Sequence, residues 1–327
     1  MSSIEINKLV KKFNGFTAVD KISFSVEEGE LFGLLGPNGA GKSTTIYMLT
    51  TLIPPSGGKA TVNGFDIVAD SDKVRKSIGI VFQDPTVDTR LSGFDNLDIH
   101  GRIYGMFDGP KRRERINEVL ELVELTDWKD KMVRTFSGGM RRRLELARGL
   151  LHTPKVLFLD EPTLGLDPQT RRHIWSYIEK LKEQGITIML TTHYLEEADY
   201  LCDRVAIMDK GRIKAMGTPK ELKGGIGGNV ISINSNEPQK LVEILKTAGL
   251  ARKLHVEDTT VSFDVKESGT IVPKVMELAV KAGISVESVE LRVPSLEDVF
   301  IHYTGSSIRA EKSAGGQMGM RRRARGF

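Results

Sequence analysis

The stretch Gly36-Pro37-Asn38-Gly39-Ala40-Gly41-Lys42-Ser43-Thr44 follows the pattern G-x-x-x-x-G-K-[ST]. Its residue types suit phosphate. Glycine lets the backbone approach an anion closely, because no Cβ stands in the way. Successive N–H groups then curl into a cradle, and a helix N-terminus behind them adds partial positive charge. Lys42 is placed to reach the β- and γ-phosphates, and the Ser43 hydroxyl to ligate Mg²⁺. A second stretch, Val156-Leu157-Phe158-Leu159-Asp160-Glu161, ends an apolar run on two carboxylates. Open parallel sheets bind their ligands at the C-terminal ends of the strands. There Asp160 would hold the magnesium shell, and Glu161 would polarise an attacking water as general base.

Two further groups fit the same chemistry. Ser137-Gly138-Gly139 opens a helical stretch, so a hydroxyl and free backbone N–H groups meet at a helix N-terminus, a second anion site. One chain with two phosphate-binding ends suggests head-to-tail pairing in a closed two-fold dimer, each Ser-Gly-Gly capping the nucleotide held by the partner. His193 follows the apolar run Ile186-Thr187-Ile188-Met189-Leu190, which places it on the same sheet edge as Asp160.

These groups need a scaffold of strands and helices. Glu30 to Leu35 reads as a buried strand before the glycine turn, and Ile46, Leu49, Thr50 and Ile53 after it keep helical spacing until Pro54-Pro55. Up to about residue 83 the remaining segments read as strands, one of them closed by Asn63-Gly64. From 95 to 151 the spacing turns helical, an insert spanning about 86–151. On its last helix, where Leu144, Ala147 and Leu151 face inward, at least two of Arg141, Arg142 and Arg143 are expected to be solvated charges. Strand–helix alternation resumes at 155 and ends in a hairpin turning at Lys210-Gly211. After the glycine-rich Lys223–Asn229 stretch a second unit reads βαββαβα, a ferredoxin-like layer of helices on an antiparallel sheet. The expected divisions are 1–224, 225–305 and a tail, 306–327. His255 and His302 read as surface or packing residues.

With 39% hydrophobic and 28% charged residues, the composition is that of a soluble globular chain. No apolar run approaches the ~18 residues of a membrane span, and the N-terminus shows no secretory pattern. The single cysteine, Cys202, excludes an internal disulfide and a multi-cysteine metal cluster, and reads as a small buried hydrophobe. Net charge is +4, but residues 309–327 carry six Lys/Arg against one Glu, which leaves about −1 for the rest. The basic signal therefore lies in a tail whose composition reads as disordered.

Together these motifs resemble those of an ATP-binding-cassette (ABC) transporter ATPase subunit. The resemblance implies an α/β fold: a P-loop NTPase cassette with a mixed sheet core, an antiparallel β subdomain and a helical subdomain. It implies ATP and Mg²⁺ as ligands. It places Phe13 where the family stacks an aromatic on adenine, with Phe16 nearby, and Gln83 of Val-Phe-Gln-Asp-Pro as the glutamine joining the metal shell to the helical insert. Ser137-Gly138-Gly139 matches the signature, Asp167 the loop that crosses between subunits, and His193 the γ-phosphate switch. Met140 departs from the usual glutamine and cannot hydrogen-bond as an amide does. Phe136–Leu150 and Pro294–Gly305 resemble the daunorubicin-resistance type of exporter ATPase. The implied partners are a membrane permease and a second ATPase subunit, with the protein on the cytoplasmic face of the membrane. The implied cargo is a drug, lipid or other hydrophobic compound. Coupling to the permease is expected near Gln83, with Leu91, Phe94, Leu97, Ile103 and Tyr104 as candidate contacts. A soluble cassette ATPase acting on nucleic acid or in macromolecular assembly is the alternative, with only the basic tail in its favour; nucleic acid is not the expected partner.

Overall fold

A long antiparallel hairpin, β1 (Ser2–Phe13) and β2 (Phe16–Glu27), leads to β3 (Leu31–Leu35), the glycine loop and α1 (Lys42–Leu49) in the computed structural model. A second hairpin, β4 (Gly57–Val62) and β5 (Phe65–Asp66), turns at Asn63-Gly64 with φ of 51° and 77°. Two consecutive positive φ angles define the type I′ turn that Asn-Gly favours. Next come α2 (Ser71–Ser77), β6 (Ile78–Val81), α3 (Gly93–Ile103), α4 (Gly109–Leu122) and α5 (Gly138–Leu150). Alternation then resumes through β7 (Val156–Asp160), α6 (Pro168–Glu183), β8 (Thr187–Thr192), α7 (Leu195–Leu201), β9 (Arg204–Asp209) and β10 (Arg212–Gly217). The structure describes residues 2–226, 229–265, 268–292 and 294–304; the basic tail expected at 306–327 lies outside them.

Two sheets organise this first unit. β2-β1-β4-β5 form an antiparallel layer, and the central sheet runs β10-β9-β3-β8-β7-β6. In the central sheet every neighbouring pair from β9 to β6 is parallel, and only the β10 edge is antiparallel. Parallel strands covered on both faces read as unbroken apolar runs. Accordingly every residue of β3, β7 and β8 is buried. The main core fills the space between the two sheets: Phe24 stacks on Phe32 at 5.0 Å, with Ile46, Met48, Phe158 and Met189 around them.

Strand order decides what the site contains. β8 lies between β3 and β7, so the ends of three strands bring the glycine loop, His193 and the Asp160-Glu161 pair to one edge. Sequence separation is large there, while the sheet spacing is about 4.8 Å per strand.

The second unit begins at Pro219, ahead of the boundary expected at 224/225. The reason is α8 (Pro219–Gly225), which packs with the last helix of that unit and carries the glycine-rich stretch into it. Beyond it come β11 (Asn229–Ser235), α9 (Pro238–Thr247), β12 (Arg252–Glu257), β13 (Thr260–Val265), α10 (Ser268–Lys281), β14 (Val286–Arg292) and α11 (Leu296–Thr304). The sheet order β12-β13-β11-β14 is antiparallel throughout, the ferredoxin-like arrangement. Its own core gathers Ile231, Ile233, Leu241, Leu245, Phe263 and Val275. His255 and His302 are exposed.

Candidate active site

The glycine loop is shaped by backbone contacts that exclude side chains. A Cβ on Gly36 would lie 2.3 Å from the Met208 carbonyl oxygen, and Gly41, the N-cap of α1, has φ of 106°. Either constraint alone would exclude an ordinary residue. Pro37 and Ala40 are buried in the loop, Asn38 and Gly39 are exposed, and Ser43 and Thr44 are half-buried in the first turn of α1. The Ala40 N–H donates to the Pro37 carbonyl at 3.2 Å, which closes the turn.

Lys42 lies inside this loop with 4% of its side chain exposed. Its ammonium donates to the Gly36 and Pro37 carbonyls at 2.8 and 3.2 Å and sits 3.3 Å from Glu161 Oε1. Burial lowers the Lys42 pKa, and the attraction of Glu161 and Asp160 only partly offsets this. The Ser43 hydroxyl donates to Asp160 Oδ1 at 3.0 Å across 117 residues of sequence. The Thr191 hydroxyl donates to the same oxygen. Asp160 Oδ2 is buried and has no partner. A buried carboxylate oxygen left unpaired beside a serine hydroxyl suits a hard divalent cation. The donor set Ser43 and Asp160 therefore fits Mg²⁺.

The two neighbouring carboxylates differ in environment. Burial raises the Asp160 pKa against the hydrogen bonds from Thr191 and Ser43. At Glu161 burial acts in the same direction, but the His193 contact and Lys42 outweigh it and hold the carboxyl below its ordinary value. His193 Nδ1 lies 3.2 Å from Glu161 Oε1, and the imidazole is buried. Glu161 has φ of 49°, in the left-handed region that costs a non-glycine residue about 1–2 kcal/mol.

The Asp160 environment makes a stability prediction. Asp160→Asn should raise the melting temperature by about 2–4 °C, corresponding to about 1 kcal/mol. A carboxyl whose folded pKa is raised is a burden once it ionises. The gain should thus be present at pH 7 and disappear as the pH falls below the ordinary value of 3.8, where the carboxyl is protonated in both states. Thermal melts of both proteins at pH 7 and across the acid range test this; equal melting temperatures at pH 7 would refute it.

Other expected site residues make no described hydrogen bond with this cluster. Gln83 is exposed on the loop after β6, and among the described contacts its amide makes no hydrogen bond to Ser43 or Asp160. Phe13 and Phe16 flank the Asn14-Gly15 turn, 44% and 64% exposed, with the Lys11 ammonium 5.0 Å from the Phe13 ring. Ser137 is the N-cap of α5; its hydroxyl accepts from the Met140 N–H at 3.2 Å, and Gly138-Gly139 form the first turn. Asp167 caps α6, accepting from the Thr170 N–H at 3.0 Å and the Thr170 hydroxyl at 2.6 Å. These bonds lower its pKa, the Thr170 hydroxyl most. Cys202 is buried against Gly33.

Two expectations need correction. None of the three arginines after Met140 is a solvated charge: Arg141 and Arg143 are half-buried, and Arg142 is 7% exposed. Helix α5 is buried on more sides than Leu144, Ala147 and Leu151 alone suggest, since Arg142, Leu146 and Leu150 form a second inward stripe. That i, i+4, i+8 spacing was the available signal. Among the docking candidates, Leu97 is fully buried, and Tyr104 stacks on His152 at 3.9 Å; only Ile103 is strongly exposed, at 73%. Ile99 and Phe107 of the same segment are exposed as well, at 47% and 81%. Beside it a cavity of about 260 Å³ is lined by Leu52, Arg75, Phe82, His100, Tyr104 and His152. Glu197 escaped sequence reasoning. Fully buried, it accepts from the Thr163 hydroxyl at 2.8 Å and the Trp175 indole at 2.9 Å, and so ties α7 to α6 and to the turn after Glu161.

Comparison with known proteins agrees with this geometry. Residues 19–164 match the family described as ABC transporter, and residues 217–304 match the C-terminal domain of DrrA1-3-like ATP-binding proteins. The daunorubicin/doxorubicin resistance ATP-binding protein DrrA of Streptomyces peucetius is 42% identical over 93% of this chain and 92% of its own. The Nod factor export ATP-binding protein I of a Rhizobium species is 41% identical over 93% of this chain and 97% of its own. Among solved structures, cbiO1 from Clostridium perfringens, part of the cbiONQ ABC transporter complex, superposes with a TM-score of 0.63 at 32% identity, covering 68% of this chain and 90% of that one. A dimeric ATP-binding cassette in a post-hydrolysis state with ADP and Pi superposes with a TM-score of 0.60 at 26% identity, covering 66% and 98%. No described helix is long and apolar enough to cross a membrane. The P-loop, the paired carboxylates and the likeness along almost the whole chain make one conclusion: the protein belongs to the ABC transporter family and is an ATP-binding, ATP-hydrolysing subunit of the daunorubicin-resistance type.

Proposed function

We propose that this subunit powers export of a drug, lipid or other hydrophobic compound through a separate membrane permease, working as a pair on the cytoplasmic face of the membrane. The observation that carries the reading is the meeting of Ser43 with Asp160 and of Lys42 with Glu161 at one sheet edge. Bound Mg²⁺, held by Ser43 and Asp160 with Gln83 as its link to the helical insert, would supply charge neutralisation to the phosphates. Lys42 and the amides of Gly36–Thr44 bind the triphosphate, and Phe13 stacks on the adenine. Glu161 takes a proton from the attacking water, and His193 orients the γ-phosphate while holding Glu161 in place. The signature Ser137-Gly138-Gly139 caps the nucleotide of the partner subunit, and Asp167 lies on the loop that crosses to it. Closure follows from differential affinity, since the contacts of Ser137 and Gly139 with the partner's nucleotide exist only in the paired state.

The relatives' names support export. One is a resistance protein for daunorubicin and doxorubicin, and another serves Nod factor export. Nothing comparable supports a nucleic-acid role. The docking face for the permease is the segment on and just after α3 that carries the exposed apolar residues Ile99, Ile103 and Phe107; His100 and Tyr104 of the same segment line the cavity that Phe82, next to Gln83, also lines. Exposed apolar groups clustered in this way mark an interaction site. Ile103→Asp with Phe107→Asp should therefore abolish co-purification of the chain with its permease and leave its own ATPase rate within about twofold, because neither residue is in the core. Undiminished co-purification would refute this docking face.

A further inference from the structure

The buried guanidinium of Arg142 reaches from α5 into the catalytic turn. Its Nε donates to the Pro162 carbonyl at 2.6 Å, and its Nη2 donates to the carbonyls of Asp160 and Glu161 at 3.2 and 3.0 Å. Its Nη1 donates to the carbonyl of Phe82, the residue before Gln83. One planar fork thus holds three consecutive carbonyls at the end of β7 and one at the start of the 82–87 loop. Three residues further along α5, Glu145 accepts from the Val87 N–H at 2.8 Å and from Thr86, which fixes the other end of that loop. The turn Arg142 grips is the one in which Glu161 adopts its left-handed φ of 49°. The Glu161 N–H is pinned by the Thr191 carbonyl at 3.1 Å, and its carbonyl by Arg142. A strained backbone persists only where its surroundings over-determine it.

We propose that Arg142 is a positioning residue for hydrolysis: it holds the backbone of Glu161 so that the carboxylate faces the attacking water, in register with the Gln83 loop. The inference rests on the reading of Glu161 as the general base. Arg142 touches no reacting atom, so it acts through Glu161 and leaves nucleotide binding to the glycine loop.

The test compares Arg142→Ala and Arg142→Lys in the full chain. A misplacement of about 1 Å at the base costs about 100-fold in rate. The expected result is kcat lower by about that factor in Arg142→Ala, with KM and the Kd for a fluorescent ATP analogue within about twofold. Arg142→Lys should restore less than about a tenth of the lost rate, because one ammonium cannot serve four carbonyls in a plane. Should Arg142→Ala fold poorly, Arg142→Lys, which keeps a buried cation, carries the comparison.

A double-mutant cycle separates this from a structural role. With Glu161→Gln, single-turnover assays on radiolabelled ATP should show no further loss on adding Arg142→Ala. Wild-type kcat in both Arg142 variants, a Kd rising in step with the fall in kcat, or equal losses with and without the Glu161 carboxylate would each overturn the proposal. Retained hydrolysis in Glu161→Gln alone would instead remove Glu161 from the base role, a separate outcome.

Discussion

Glu161→Gln should leave ATP binding intact and lower turnover by about 1000-fold, within the range for loss of a general base. The change keeps the side chain's shape and removes the charge proposed to accept the proton. Binding should survive, because the proposed phosphate contacts come from the glycine loop and Lys42. The two groups that hold the Glu161 carboxyl below its ordinary value of 4.5, His193 and Lys42, keep it ionised at neutral pH and ready to act. The amide still accepts from Lys42 but removes the negative charge that the ammonium has at 3.3 Å, and so loosens its hold there in favour of phosphate. Nucleotide affinity should hold or rise, and with ATP the variant should run as a dimer in size-exclusion chromatography, since the closed pair no longer hydrolyses its way open. Phosphate release at the wild-type rate would remove Glu161 from the mechanism; a monomer with ATP bound would count against the proposed pairing.

Lys42→Ala should fail at an earlier step. A charge-assisted hydrogen bond is worth about 1.5–3 kcal/mol, so the Kd for ATP should rise roughly 10- to 150-fold. Two effects oppose each other here. The substitution removes a cation that is costly to bury, which burial shows by lowering its pKa. It also takes from the Gly36 carbonyl the donor at 2.8 Å, leaves the Pro37 carbonyl with the Ala40 N–H alone, and deprives Glu161 of a cation. Fold stability should change little, while affinity falls and the Glu161 carboxyl titrates higher than in the wild type. Calorimetric titration with ATP, beside a thermal melt of the free protein, distinguishes the two. An unchanged Kd would mean that the lysine does not contact the phosphates.

The C-terminal unit contributes nothing to these predictions. Among its described residues the core cluster is apolar, and His255 and His302 are exposed. Its description as a small ferredoxin-like layer was already legible from the order of its elements.

Whatever depends on neighbours along the chain could be read from the residues alone. The glycine loop is a matter of nine consecutive residues, Gly36–Thr44. The buried strands announce themselves as apolar runs, and the turn at Asn63-Gly64 carries the residues its φ angles demand, while at Lys210-Gly211 only the glycine does. The tertiary structure alone decided which of these pieces meet. Ser43 and Asp160, 117 residues apart, touch because β8 is the single strand between β3 and β7. Arg142 is a buried clamp because α5 packs on more than one side, whereas a charge run in a sequence looks solvated. Leu97 belongs to the core and Ile103 to the surface, although both are apolar residues of one helix. The physical reason is range. Periodicity and turn chemistry act over a few residues, while strand order and burial follow from where distant segments of the chain can hide their apolar faces together.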